Sequence, residues 1–297
     1  MESMINQEQT EATLRGYTAL FMERLRTSDI SARTRLLATE QPSKSGGEQY
    51  SLIGPAPSME EHRGGRVVQK LSEHPFVLLN KAFANAIEID LDDLDDDNAG
   101  KYNASVMGVA DKAMLHMFKL LRTLLNNAFA GGAYACYDGK ALCANDHSWG
   151  DNNLDLALSA TNFATAVQRL RELKDDNDDE LDNNPTHLIV GADKEVLAYE
   201  ITQAQFLGVT GEGTKTNVLS MMGCQPLVIP GLTAGFWFVA DLSKPYKPLI
   251  AQLRKATMAQ IDRTREFSHN VVQFGARYRG NAGMGVPQVI VGSDGVA

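Results

Sequence analysis

The sequence predicts an α+β fold, and three observations carry that expectation. Residues 99–130 keep an unbroken helical periodicity; the segments before and after them alternate apolar and polar residues as strands do; and from about residue 155 short buried-strand patterns alternate with helical ones. The composition suits a folded globular chain. With 297 residues, 43% hydrophobic and 22% charged, it can bury a real core and shows neither disorder nor a fibrous repeat.

The first element is an amphipathic helix over residues 10–26, where Leu14, Tyr17, Leu20, Phe21 and Leu25 recur at spacings of three and four. Residues 40–49, EQPSKSGGEQ, lack periodicity and read as a linker or arm. From Tyr50, the segments YSLIG, RVVQKL and FVLLNKAFANAIEIDL read as strands around the charged, proline-broken stretch PAPSMEEHRGG, which makes a long hairpin with an exposed loop. Such a ribbon has too little core to stand alone, because isolated two-stranded sheets are marginal in water. It is expected to pack on something else.

The acidic run DDLDDDN leads into the long helix, which carries Tyr102, Val106, Val109, Met114, Phe118, Leu121, Leu124, Leu125 and Phe129 at helical spacing. Carboxylates suit the positive end of the helix dipole, Asp97 or Asn98 is placed to cap it, and Gly131 and Gly132 are placed to stop it. At 1.5 Å per residue the helix would be about 45 Å long. A turn-rich connection, AYACYDGKALCANDHSWGDNN, follows, then a helix over 162–173 and a solvated acidic loop, KDDNDDELDNNP. THLIVG reads as a buried strand, ADKEVLAYEITQAQ as a helix and GVTGEGTKTN as a flexible glycine-rich loop. Further strands are expected at QPLVIPG, GFWFVAD, PLIAQLR, ATMAQID, SHNVVQFGARYRG and PQVIVG.

Charge and cysteine content exclude some classes. A net charge of −9 and a pI near 5.2 repel phosphate, which argues against coating nucleic acid, although an acidic wall around packaged DNA would let the polymer slide. Three cysteines do not make a disulfide framework and read as reduced thiols in a cytoplasmic setting. Met1 to Thr10 is polar, and no run of about 18 apolar residues occurs, so secretion and membrane insertion are not expected.

Chemical motifs fail on spacing. Between Gly208 and Thr216 the glycines are followed by Thr214 before Lys215, which breaks the phosphate-loop pattern. Cys136 and Cys143, seven apart with Asp146 and His147 nearby, do not match the close ligand pairs of structural zinc. Asp90 to Asp97 is rich in carboxylates, but Lys101 stands where a calcium loop needs its closing Glu. There is no G-x-S-x-G elbow and no H-E-x-x-H. A metal hydrolase built on Asp138, Asp146 and His147 is the alternative from a different class; it predicts stoichiometric metal and a small discrete species.

The order of elements resembles the tailed-phage major capsid fold of the Hong Kong 97 type. The wording of three stretches is similar to the Mu-like prophage major head subunit family: IEIDLDDLDDDNAGKYN, YDGKALCANDHSWGDNN and REFSHNVVQFGARYRGNAGMGVPQVIVGSDG. Tyr137, Asp138, Gly139, His147 and Asn152 or Asn153 answer the family's loop; Phe267, Gly275 and Arg277 or Arg279 answer its tail. Leu142 and Cys143 stand where an aromatic pair is more usual, a departure that touches packing.

The resemblance implies an N-terminal arm (1–45) and an extended loop with flanking strands (46–90). It also implies a peripheral domain (91–154 and 246–284) with its spine helix at 99–130, and an axial domain (155–245 and 285–297). It implies a non-enzymatic subunit, without cofactor or metal, that forms homo-hexamers and homo-pentamers closing into an icosahedral shell around double-stranded DNA. Assembly would take place in the bacterial cytoplasm, and the finished location would be the virion capsid. Glu60, Glu61, Arg63 and Arg66 on the extended loop would make inter-subunit contacts, and the loop near Gly211 would face a capsomer axis. The segment before Gln41 looks short for a built-in scaffold, so a separate scaffold protein is expected, with a portal and a cement or decoration protein as further partners. An encapsulin-like compartment shares the fold, but the Mu-like loop and tail argue against it.

Overall fold

Two four-stranded sheets and one long helix organise the chain. The computed structural model describes residues 2–27, 30–53, 73–95, 100–176, 178–208 and 214–295. The chain opens with α1 (Glu2–Arg26), α2 (Ile30–Leu37), β1 (Ala38–Pro42) and a ribbon made of β2 (Gly47–Ile53) and β3 (Glu73–Leu79). β4 (Lys81–Asp90) and a single turn, α3 (Leu91–Asp95), lead to the long helix α4 (Gly100–Asn126). After a connection come α5 (Ala160–Glu172), β5 (His187–Val190), α6 (Glu195–Gln203) and the small pair β6 (Phe206–Gly208) and β7 (Thr214–Thr216). β8 (Gln225–Val228), β9 (Trp237–Ala240), β10 (Leu249–Asp262), the turn α7 (Glu266–His269), β11 (Val271–Met284) and β12 (Ile290–Ser293) complete it.

The first sheet has the order β1-β10-β11-β4, with β1 parallel to β10 and the other pairs antiparallel. The second has the order β12-β9-β5-β8. α4 is the beam between them because its apolar residues recur at three and four over seven turns, giving one continuous buried stripe. Near its start, Val106, Val109 and Ala110 pack with Leu14, Tyr17 and Phe21 of α1 and with Val272, Phe274 and Ala276 of β11. Near its end, Leu121 and Leu125 reach a cluster that includes Leu249, Ala251, Phe238 and Ile290, so both sheets touch one helix. A third cluster lies behind the second sheet, where Phe163, Val167 and Leu170 of α5 and Ala198 and Ile201 of α6 cover Leu188, Trp237, Val239 and Val291.

Local chemistry explains the boundaries. Ser159 accepts from the Asn162 N–H at 3.1 Å and so starts α5 earlier than residue 162. α4 ends at Asn126, short of the glycines expected to stop it. Phe129 there packs edge-on against Phe236 and stacks on Phe238, and tight backbone bonds such as Asn127 N to Leu124 O take the chain off the helix axis. Three other readings are corrected. Of the expected linker 40–49, Glu40 to Pro42 complete the edge strand β1 and Gly47 to Gln49 open β2; the pattern of β1 is invisible because a short edge strand alternates over too few residues. PLIAQLR and ATMAQID form one strand, β10, interrupted only by register shifts around Lys255. The proposed strand from Phe76 to Leu91 is cut at Asn80, so that β3 belongs to the ribbon and β4 to the first sheet. The expected caps Asp97 and Asn98 lie outside the described residues.

Gly275 illustrates the closeness of β11 to β4: a Cβ there would sit 2.4 Å from Asn85 O. Phe274, fully buried, meets Tyr17 and Phe21 edge-on at 6.3 and 6.0 Å and ties α1 to the sheet. Phe274→Ala should cost about 3–5 kcal/mol of stability. Urea unfolding followed by circular dichroism should show a clearly lower midpoint; an unchanged midpoint would mean that α1 does not dock on β11 in solution.

Candidate functional site

The ribbon β2–β3 pairs only with itself among the described strands, so its direction depends on what happens at its root. There, a set of amides replaces sheet hydrogen bonds. The fully buried Gln252 donates from Nε2 to Asn80 Oδ1 at 2.7 Å and to Leu78 O at 3.1 Å. Asn80 in turn donates to Ser43 Oγ at 2.7 Å and Ser45 O at 3.0 Å, and Asn281 Nδ2 donates to Leu79 O at 2.8 Å. These bonds join residues far apart in sequence, and breaking them would leave buried amide groups unpaired. Glu48 closes the turn below: its carboxylate accepts from the Ser45 N–H at 2.8 Å, the Lys44 N–H and the Ser43 hydroxyl. Those donors, the Ser45 and Lys44 amides first, hold its pKa down at about 2.

Beyond this root the ribbon leaves apolar surface uncovered. Val77 and Leu79 are more than half exposed. Beside them lies a groove of about 350 Å³, lined among others by Leu78, Leu120, Tyr134 and Met284. The predicted contact residues Glu60, Glu61, Arg63 and Arg66 lie outside the described residues.

The loop after α4 collects the motif residues into one fastener. The buried Asn152 carboxamide accepts from the Ala144 N–H at 2.8 Å and donates to Leu142 O, Pro287 O and Ile290 O at 2.8, 3.2 and 3.0 Å. Asn153, the other candidate for this role, instead donates to Asp155. His147 Nδ1 lies 2.5 Å from Asp138 Oδ2, and its ring stacks on Trp149 with centroids 4.2 Å apart. Burial would raise the Asp138 carboxyl, but hydrogen bonds from His147 and from the Lys140 N–H outweigh it and leave it below the usual range. Tyr137 donates to Asp176 at 3.0 Å, where Gln288 also joins, so the acidic loop is pinned at its base. Asp175 and Asn183 of that loop are buried, which corrects its reading as wholly solvated.

Asp138 and His147 of the hydrolase alternative do meet, but Asp146 pairs with Lys140 instead. The His147 side chain has no accessible surface, so a substrate could not reach it. Cys136 and Cys143 are buried free thiols, and burial pushes both up. Asp93 is engaged by Lys101 at 2.6 Å and by Tyr102, which depress its carboxyl. Among the described residues, no group of three or more His, Cys, Asp or Glu side chains is placed to hold a metal ion, and no helix is long and apolar enough to cross a membrane.

One feature escaped the sequence reading. Val196, Tyr199, Phe206, Val218 and Met221 are all exposed, on α6 and the segments that follow it. The available signal was Val196 and Tyr199 at i and i+3 on the face of α6 opposite Ala198 and Ile201.

The architecture aligns with a chain from the procapsid of bacteriophage JBD30 at a TM-score of 0.57 and 22% identity, covering 96% of this chain and 74% of that one. Spine helix, ribbon and paired sheets therefore define a tailed-phage capsid protein fold of the Hong Kong 97 type. The sequence matches the Mu-like prophage major head subunit gpT family over residues 11–157, 153–229 and 228–296, and the chain belongs to that family. It is 26% identical to the Mu-like prophage FluMu major head subunit of Haemophilus influenzae over 258 residues, and 27% identical to the major capsid protein of Escherichia phage Mu over 141 residues. The first alignment covers 85% of this chain and 63% of the relative; the second covers 48% and 45%. The chain thus spans less than two thirds of the length of either relative.

Because the Glu48 pKa is depressed in the folded chain, the stability it contributes is present above its ordinary value of 4.5 and is lost as pH falls toward about 2. Amide protection factors of residues 43–53, referred to the intrinsic exchange rate at each pH, should therefore fall as pH drops through that window. In Glu48→Gln they should already be lowered at neutral pH and show no further fall there. An NMR titration of the Glu48 carboxyl near 4.5 would refute the arrangement.

Proposed function

We propose that this chain is the major capsid subunit of a tailed phage or prophage, and that it self-assembles into hexamers and pentamers closing an icosahedral shell around double-stranded DNA. The observation that carries the reading is the β2–β3 ribbon, clamped at its root yet bare along Val77 and Leu79. A two-stranded ribbon with uncovered apolar side chains is marginal alone and becomes stable when a neighbouring subunit covers it. The exposed apolar side chains Val196, Tyr199, Phe206, Val218 and Met221 support a second self-contact, around a capsomer axis.

In this reading residues 1–45 are the arm and 46–90 the extended loop with its flanking strands. Residues 91–154 and 246–284 make the peripheral domain, and 155–245 and 285–297 the axial domain. Glu60, Glu61, Arg63 and Arg66 pair across the seam where one subunit's loop lies on the next. The chain carries no catalytic activity; the Asp138–His147 pair orients a loop. DNA is enclosed without sequence-specific binding, in keeping with the net charge of −9. A separate scaffold protein, a portal and a decoration protein complete the assembly, which forms in the bacterial cytoplasm and ends as the virion capsid.

Electron microscopy and sedimentation of the purified, concentrated protein test the reading. Shells, tubes or rings of five or six are expected. A species that stays small even with a candidate scaffold co-expressed, and that binds stoichiometric metal, would point to the hydrolase. Arg63→Glu with Arg66→Glu should lower shell yield while the subunit stays folded by circular dichroism; undiminished shells would remove those arginines from the seam.

A further inference from the structure

The outer face of the first sheet carries an unbalanced row of cations. Arg277 and Arg279 are two apart on β11 and so point to the same side; Lys255 of β10 is the cross-strand partner of Arg279, and Met258 that of Arg277. On the other flank β4 offers only Ala84 and Ala82 opposite the two arginines, which keeps the surface flat. Lys255, Met258, Gln260, Arg277 and Arg279 line a shallow groove of about 150 Å³. No carboxylate meets the three cations within ion-pair distance among the described residues. Toward the tip the same face does balance its charges, since Glu88 takes Arg265 and Gln273, each at 2.9 Å. Like charges set side by side across strands destabilise an isolated sheet, so the row is a cost to the lone subunit.

The same chain presents the opposite charge elsewhere. Residues 174–182 hold six carboxylates against one lysine. The loop is tied on both sides, because Asn183 donates to Leu170 O and Gln288 O and Tyr137 holds Asp176, while Asp178, which Lys174 meets at 2.6 Å, Glu180 and Asp182 are exposed. We propose that the groove of Lys255, Arg277 and Arg279 receives the acidic loop around Asp178 and Glu180 of a second copy of this chain. One surface is on the first sheet and the other on the loop between α5 and β5, so the contact is head-to-tail, the kind that closes rings and extends shells. A DNA duplex fits less well, because only three cations stand against a chain of net charge −9. This inference rests on the shell-building reading above and names one of its seams.

The test is a charge swap in the full-length chain, read as shell yield by sedimentation and electron microscopy. Arg277→Glu with Arg279→Glu should lower yield by about tenfold or more, and so should Asp178→Lys with Glu180→Lys. Assembly from an equal mixture of the two variants should restore yield, because each then offers the other a complementary surface. Asp178 has φ 69, where lysine is strained, so Asp178→Asn with Glu180→Lys is tested in parallel; asparagine tolerates that backbone. Wild-type yield should also fall as salt rises above about 0.1 M, where screening shortens to about 10 Å. Normal shells from the arginine variant overturn the seam and leave the shell reading intact. So does loss of yield without rescue in the mixtures, or normal shells that package less DNA, which would make the face a nucleic-acid surface. A wild-type chain that never assembles overturns both.

Discussion

One buried carboxamide holds the two halves of this fold in register. Asn152 satisfies four backbone groups, from Ala144, Leu142, Pro287 and Ile290, and its own carbonyl accepts from the Gly292 N–H at 2.9 Å. The loop that leaves the spine helix is thereby bonded to the last strand of the second sheet. Without it, several buried peptide groups would be left unpaired at the joint between the sheets, each costing about 1–3 kcal/mol. The spine helix can only act as a beam if its far end is fastened in this way. The His147–Asp138 pair and the Trp149 ring keep the same loop in shape around that joint.

A rigid frame of this kind lets the ribbon and the charged faces be carried at defined angles. The amide clamp at Gln252, Asn80 and Asn281 does for the ribbon what Asn152 does for the sheets: it trades regular sheet bonds for side-chain bonds that specify one direction. In the proposed shell, surfaces that are idle in one subunit, the bare apolar strand, the exposed side chains of α6 and the cationic row, would be repeated from copy to copy. Many such contacts, each weak enough to reverse, make a closed assembly stable while letting misplaced subunits leave.

Legibility in the sequence followed the length of the pattern. α4 and the core faces of α1 and α5 were readable because apolar residues recur over several turns, and β4 and β11 because they alternate over ten or more residues. α2 and β1 were not, since eight and five residues carry too few periods to register against composition. The family loop was readable as a set of residues but not as a device. Asn152 and Asn153 are indistinguishable by position, and burial alone separates the one that makes the joint from the one that bonds locally to Asp155.

The residues by themselves determined the α+β class, the spine helix, the existence of a long ribbon and the family, because these depend on local periodicity and on the order of short motifs. Tertiary structure decided which strands share a sheet, that Gln252 and Asn80 clamp the ribbon, and that Arg277, Arg279 and Lys255 stand together on one face. The physical reason is distance along the chain. Periodicity reports which face of an element is apolar, whereas a partner more than a hundred residues away is chosen by packing of the whole molecule.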